Sequence, residues 1–83
     1  MRQVLYFSAD WCEPCQRLKP QIAQLRSQMT IVDINIDISY QSAQTWNVRS
    51  VPAIIVIENA REIGRLVGSA AITPQSVINL YNK

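Results

Sequence analysis

Both cysteines of the chain lie in one pentapeptide, Trp11-Cys12-Glu13-Pro14-Cys15, just behind the apolar run Val4-Leu5-Tyr6-Phe7. That junction constrains the fold more than any other stretch. Apolar residues without alternation mark a strand buried on both faces. A proline just inside the next segment suits the first turn of a helix, where a missing N–H leaves nothing unpaired. Two thiols separated by two residues can close a disulfide within one helical turn. The chain is therefore expected to present a redox dithiol where a central strand hands over to a helix.

The rest of the chain supplies partners for that strand and helix. From Glu13 onward Leu18, Ile22, Leu25 and Met29 recur at helical spacing and draw one apolar stripe down a helix ending near Gln28. Pro20 falls inside it, and because the stripe keeps its phase across the proline, one kinked helix is expected. Thr30 to Ile38 is rich in β-branched residues and reads as a strand, with Asp33, Asn35 and Asp37 on one alternate face and Asp33 the deepest. Ser39 can cap a short helix reaching about Trp46, and Asn47 to Ser50 form a loop feeding Val51-Pro52. Ala53 to Glu58 and Ile63 to Val67 flank a polar turn and read as an antiparallel hairpin. Gly68 breaks that pattern, and Thr73-Pro74 opens a final helix carrying Val77, Ile78, Leu80 and Tyr81. The order β-α-β-α-β-β-α, with a right-handed first crossover, implies an α/β fold with helices on both faces of one four-stranded mixed sheet.

Several function classes fall away. A chain of 83 residues, 48% hydrophobic and with two glycines, is expected to be one ordered domain over residues 1–83, and a monomer. The eight basic residues are scattered and form no phosphate-tracking patch, so no nucleic-acid partner is expected. No run approaches a membrane span, and Val4 to Phe7 is too short for the core of a signal peptide, so the expected setting is a reducing cytoplasm. There a CxxC pair is more often catalytic or metal-binding than structural. A chain without histidine cannot complete a four-ligand zinc site from two thiolates unless two chains share it, so neither metal nor cofactor is expected. A structural disulfide is the other bland reading, but so small a loop restrains the unfolded chain little.

At Trp11-Cys12-Glu13-Pro14-Cys15 the sequence resembles the thioredoxins, whose usual form has Gly where this chain has Glu13. The resemblance continues through Pro20, Asn35-Ile36-Asp37, the Arg49-Ser50-Val51-Pro52 loop and Gly68 after Val67. It implies a minimal thioredoxin fold without the family's leading strand and helix. It also implies thiol–disulfide oxidoreductase activity on protein disulfides, with electrons from a flavin-dependent thioredoxin reductase or, in a glutaredoxin-like alternative, from glutathione. The glutaredoxin Cys-Pro-Tyr-Cys motif is absent, as is its later Gly-Gly and Asp. A thioredoxin-fold interaction subunit with incidental cysteines is the non-enzymatic alternative.

Within that frame Cys12, preceding a helix whose first N–H groups are unpaired, is the expected nucleophile, and Cys15, one turn in, the resolving thiol. Pro14 and Glu13 are expected to tune the pair. A carboxylate about 6 Å from the thiolate disfavours it by about 0.7 kcal/mol through water, which makes the couple more reducing. The resemblance implies a cis Val51–Pro52 peptide, where composition alone reads a trans strand-start proline, and a substrate groove made by Trp11, Val51, Pro52, Val67 and Gly68. Gly68 there leaves the approach unblocked, whereas Trp46 is expected to pack on the sheet. Where the family keeps a buried Asp this chain has Tyr6, and where it keeps a companion Lys this chain has Asp33. Asp33 is the expected substitute for the buried carboxylate, against the plainer reading of a partly solvated strand residue.

Overall fold

A computed structural model describes residues 1–83 in full. Its elements are β1 (Arg2–Ser8), α1 (Glu13–Leu25), β2 (Ile31–Asn35), α2 (Tyr40–Thr45), β3 (Ala53–Glu58), β4 (Arg61–Val67) and α3 (Pro74–Tyr81). Strand order in the sheet is β2-β1-β3-β4, with β1 parallel to β2 and antiparallel to β3, and β3 antiparallel to β4. This is the minimal mixed-sheet α/β architecture expected from the order of apolar runs.

The two central strands explain why their sequences do not alternate. Val4 and Tyr6 of β1 join Ile54 and Val56 of β3, Leu18, Ile22 and Leu25 of α1, and Val77 and Leu80 of α3 in one core layer. Leu5 and Phe7 face the other way, with Ile34, Ala53, Ile55 and Ile57, and Trp46 and Val48 pack over them from the α2 side. Both faces of the middle of β1 and β3 are thus dry, which selects apolar residues at every position from Val4 to Phe7 and from Ala53 to Ile57. Trp46 packs on the sheet, as expected.

Local chemistry sets the ends of the elements. Thr73 and Ser76 form a reciprocal capping box at the start of α3, with Pro74 in its first turn. The turn between β3 and β4 is two residues long, Asn59 and Ala60, both at positive φ (52° and 68°), the geometry that fits the right-handed twist of a hairpin. The strand β4 accordingly starts at Arg61, two residues before the sequence pattern places it. Helix α1 runs unbroken through Pro20 but stops at Leu25, short of Gln28. Beyond it the Gln28 amide returns to the Leu25 carbonyl at 3.0 Å as a tightened three-residue turn, and the Met29 amide reaches the same carbonyl at 3.1 Å at ordinary helical spacing.

The strand β2 is the largest departure from sequence expectation. It ends at Asn35, and after one last bond from the Ile36 N–H to the Ser8 carbonyl, Asp37 and Ile38 leave the sheet despite their β-branched neighbours. Asn35 causes this: its side-chain Oδ1 accepts the Asp37 N–H at 2.9 Å, and its carbonyl accepts Ile38 and Ser39 N–H at 3.1 and 2.8 Å. That side-chain turn competes with strand pairing. Ser39 occupies the cap position of α2, but its side chain makes no capping bond; its carbonyl takes the Ser42 amide at 3.0 Å instead.

Candidate active site

Cys12 is the N-cap of α1, with extended backbone (φ −90°, ψ 101°), and Pro14 lies in the first turn. The Cys15 N–H, one of the amides that a helix start leaves unpaired, donates to Cys12 Sγ at 3.2 Å. Cys12 and Cys15 form a disulfide, with Cα atoms 5.3 Å apart. Sequence therefore places this sulfur at the one point where an unpaired helix donor and the helix dipole both favour negative charge. Both residues are buried, Cys12 at 4% and Cys15 at 0% exposure. Ala9, Ile36 and Val51 close around the oxidised pair.

Around the pair, the other expected residues fall on two sides. Trp11 is 68% exposed, and its Nε1 donates to Asp37 Oδ2 at 2.9 Å. The Val51–Pro52 peptide is cis. Neither the N–H nor the C=O of Val51 has a hydrogen-bond partner within the chain, while the Pro52 carbonyl accepts the Gly68 N–H at 2.9 Å. Val67 is 49% exposed. Gly68 sits at φ +90°, and a Cβ there would meet nothing within 4 Å. The positive φ, and not crowding by the protein, is what calls for glycine at this position.

Glu13 lies on the exposed rim of the first turn and pairs with Arg17 at 3.1 Å. The bare like charge expected beside Cys12 is therefore partly offset by a cation one turn on.

Beneath the pair, Tyr6 and Asp33 stand opposite each other in the β1–β2 register. Tyr6 is 2% exposed, and its hydroxyl donates to the Cys15 carbonyl at 2.9 Å. Burial, and then the nearby Asp33 charge, push the phenol above its ordinary pKa. The expectation that Asp33 lies deepest of Asp33, Asn35 and Asp37 is corrected: Asn35 is half-buried and Asp33 is exposed. Its carboxylate is 57% exposed and takes a bidentate bond from Arg26 Nη2 at 2.9 and 2.7 Å. With Tyr6, Lys19 and Arg26 it lines a cleft of about 470 Å³ to which neither cysteine contributes. Alternation groups Asp33 with Asn35 and Asp37 on one face; it does not reveal that β2 is an edge strand, where such a side chain escapes to water.

Sequence reading missed two contributors. Asn35 donates through Nδ2 to Asp10 Oδ1 at 3.3 Å while holding the Asp37 turn, so it ties the loops after β1 and β2 together. Arg65 of β4 donates to the Trp46 and Asn47 carbonyls at 2.8 and 3.4 Å and pairs with Glu62, which braces the loop ahead of Val51. An Asn at a strand end was the available signal for the first; nothing in sequence marks the second.

A disulfide-forming pair capping the helix that follows a central strand of this sheet defines a thiol–disulfide oxidoreductase of the thioredoxin-fold class. The thioredoxin family model matches residues 1–79. A thioredoxin of Chlamydia pneumoniae is 36% identical over 80 residues, covering 93% of this chain and 76% of that protein. A longer thioredoxin of Oryza sativa is 30% identical, with 92% of this chain spanning 57% of it. Among solved structures, a thioredoxin variant from Halobacterium salinarum matches with a TM-score of 0.88 at 26% identity, over 98% of this chain and 72% of that one. The chain belongs to the thioredoxin family.

Proposed function

We propose that the protein reduces disulfides in other proteins by dithiol exchange, with Cys12 as nucleophile and Cys15 as resolving thiol. The observation that carries this reading is the Cys15 N–H aimed at Cys12 Sγ from the start of α1. In the reduced protein that donor and the helix dipole favour a thiolate at Cys12. The thiolate attacks one sulfur of a substrate disulfide, forming a mixed disulfide and expelling a substrate thiolate, which takes a proton from water. Cys15 then loses its proton and attacks Cys12 Sγ, which closes the intramolecular disulfide and releases the second substrate thiol. Two electrons pass to the substrate.

The groove is read as Trp11, Val51, Pro52, Val67 and Gly68. The free N–H and C=O of Val51 support this, because an extended substrate segment can pair with them as a short added strand. Tyr6 is read as a positioning group that holds the Cys15 backbone. Its raised pKa keeps it protonated near neutral pH, so it serves as a donor and not as a base. Asp33 tunes Tyr6 through its charge, and Glu13 with Arg17 tunes the outer side of Cys12.

The proposed electron donor is a flavin-dependent thioredoxin reductase in a reducing, cytoplasmic setting, since the residues by which glutaredoxins hold glutathione have no counterpart here. No helix is long and apolar enough to cross a membrane. The test is reduction of a protein disulfide with such a reductase and with glutathione side by side. Turnover with the reductase, lost in Cys12→Ser, is expected; turnover with glutathione alone would overturn the donor assignment.

A further inference from the structure

The six carboxylate side chains divide by location. Glu58, Glu13, Asp33 and Glu62 each pair with an arginine. Asp10 and Asp37 pair with none, and both flank Trp11 beside the dithiol. Asn35 holds them there, donating to Asp10 and accepting from the Asp37 amide, while Asp37 in turn fixes the Trp11 indole. The same corner is apolar. Ile38 is 78% exposed and Tyr40 59%, and both follow Asp37 within three residues. Because β1 and β2 are parallel, their C-terminal ends reach the same end of the sheet, tied by Ile36 N–H to the Ser8 carbonyl at 2.9 Å. Trp11 and Asp37 therefore stand at the dithiol end of the sheet, and exposed Ile38 and Tyr40 follow Asp37 in the chain.

We propose that the substrate-docking face extends from Trp11 across Asp37 onto Ile38 and Tyr40, and that it selects protein disulfides flanked by an apolar and a basic residue. This rests on the disulfide-reductase reading above. Apolar substrate atoms remove Ile38 and Tyr40 from water. Covering Asp10 and Asp37 with neutral or acidic substrate groups leaves their charges unmatched. A lysine or arginine supplies the missing counter-charge, and its methylene stem lies along the Trp11 ring. The contribution is specific to this corner, since the chain as a whole carries a net charge of +2 and would otherwise repel basic substrates.

The test uses the reduced full-length chain and three synthetic disulfide peptides, identical except for flanks of Leu-Arg, Leu-Glu or Ser-Ser. A small uncharged dialkyl disulfide serves as reference. The Leu-Arg peptide is expected to react about tenfold faster than the Leu-Glu peptide at low salt, with the gap narrowing in high salt. The double variant Ile38→Ser, Tyr40→Ser is expected to lower the ratio of Leu-Arg to reference rate about tenfold. Asp37→Asn, which keeps an acceptor for the Trp11 indole, is expected to shrink the Arg-over-Glu preference and leave the Leu-over-Ser preference in place. Equal rates for the Leu-Arg and Leu-Glu peptides, or ratios unmoved by these variants, would overturn the proposal while the reductase reading stands. Inactivity toward every disulfide would overturn both. A concentration-dependent dimer of the wild type that the double variant abolishes would assign the face to a second copy of the chain and overturn the proposal.

Discussion

At the residue scale, Tyr6 is where this chain departs furthest from a buried-acid design, and its behaviour can be isolated. Its folded pKa is raised, so the stability linked to its protonated form is complete below about pH 10 and is lost as pH rises through the folded value. Tyr6→Phe keeps the ring in the core and removes the bond to the Cys15 carbonyl. Its expected loss is about 1 kcal/mol at neutral pH. Denaturant midpoints measured from pH 7 to 11 are expected to fall less steeply above pH 10 in the variant than in the wild type; parallel curves would dismiss the linkage. Glu13 and Arg17 make a second residue-scale prediction. Glu13→Gln favours the Cys12 thiolate and Arg17→Gln disfavours it, each by less than about 1 kcal/mol, or about 20 mV in the two-electron couple. Equilibration against a dithiol buffer should move the two potentials in opposite directions.

At the scale of elements, legibility tracked how local the determinant was. The α1 stripe, the Thr73-Pro74 cap and the non-alternating runs of β1 and β3 act through near neighbours or full burial, and sequence placed them within a few residues. The end of β2 and the exposure of Asp33 depend on Asn35 outcompeting strand pairing and on β2 lying at the sheet edge. Neither follows from β-propensity. The β3–β4 turn was read too long because its conformation carries Ala60 at φ 68°, which alanine adopts with strain. Ala60→Gly should therefore stabilise the hairpin by about 0.5–1 kcal/mol, seen as a higher denaturant midpoint with unchanged slope. Arg65 links β4 to the end of α2, and its bond holds the Glu62 carboxyl below the usual range. A lowered folded pKa makes that contribution present above about pH 4.5 and lost as pH falls through the folded value. Arg65→Ala should cost about 1 kcal/mol or less at pH 7, and less again at pH 3, as read from thermal midpoints.

At the scale of the whole molecule, the fold brings three separate segments to one end of the sheet: the start of α1, the cis Val51–Pro52 loop and the turn after β2. The cysteines were legible because their spacing carries the chemistry, whereas the cis Val51–Pro52 peptide followed only from the resemblance to thioredoxins, composition alone reading a trans proline. The grouping of Asp10 with Asp37, Ile38 and Tyr40 was not legible, because it joins the loop after β1 to the turn after β2 and the start of α2, whose meeting depends on parallel pairing of β1 with β2. The division of labour between the two sulfurs is the central claim, and covalent trapping tests it most directly. Reduced Cys15→Ser and Cys12→Ser proteins would each be mixed with a disulfide-bearing protein substrate and resolved without reductant. The expected result is a stable mixed disulfide through Cys12 in the Cys15→Ser protein and none in the Cys12→Ser protein. Trapping through Cys15, or no covalent complex in either, would contradict the account.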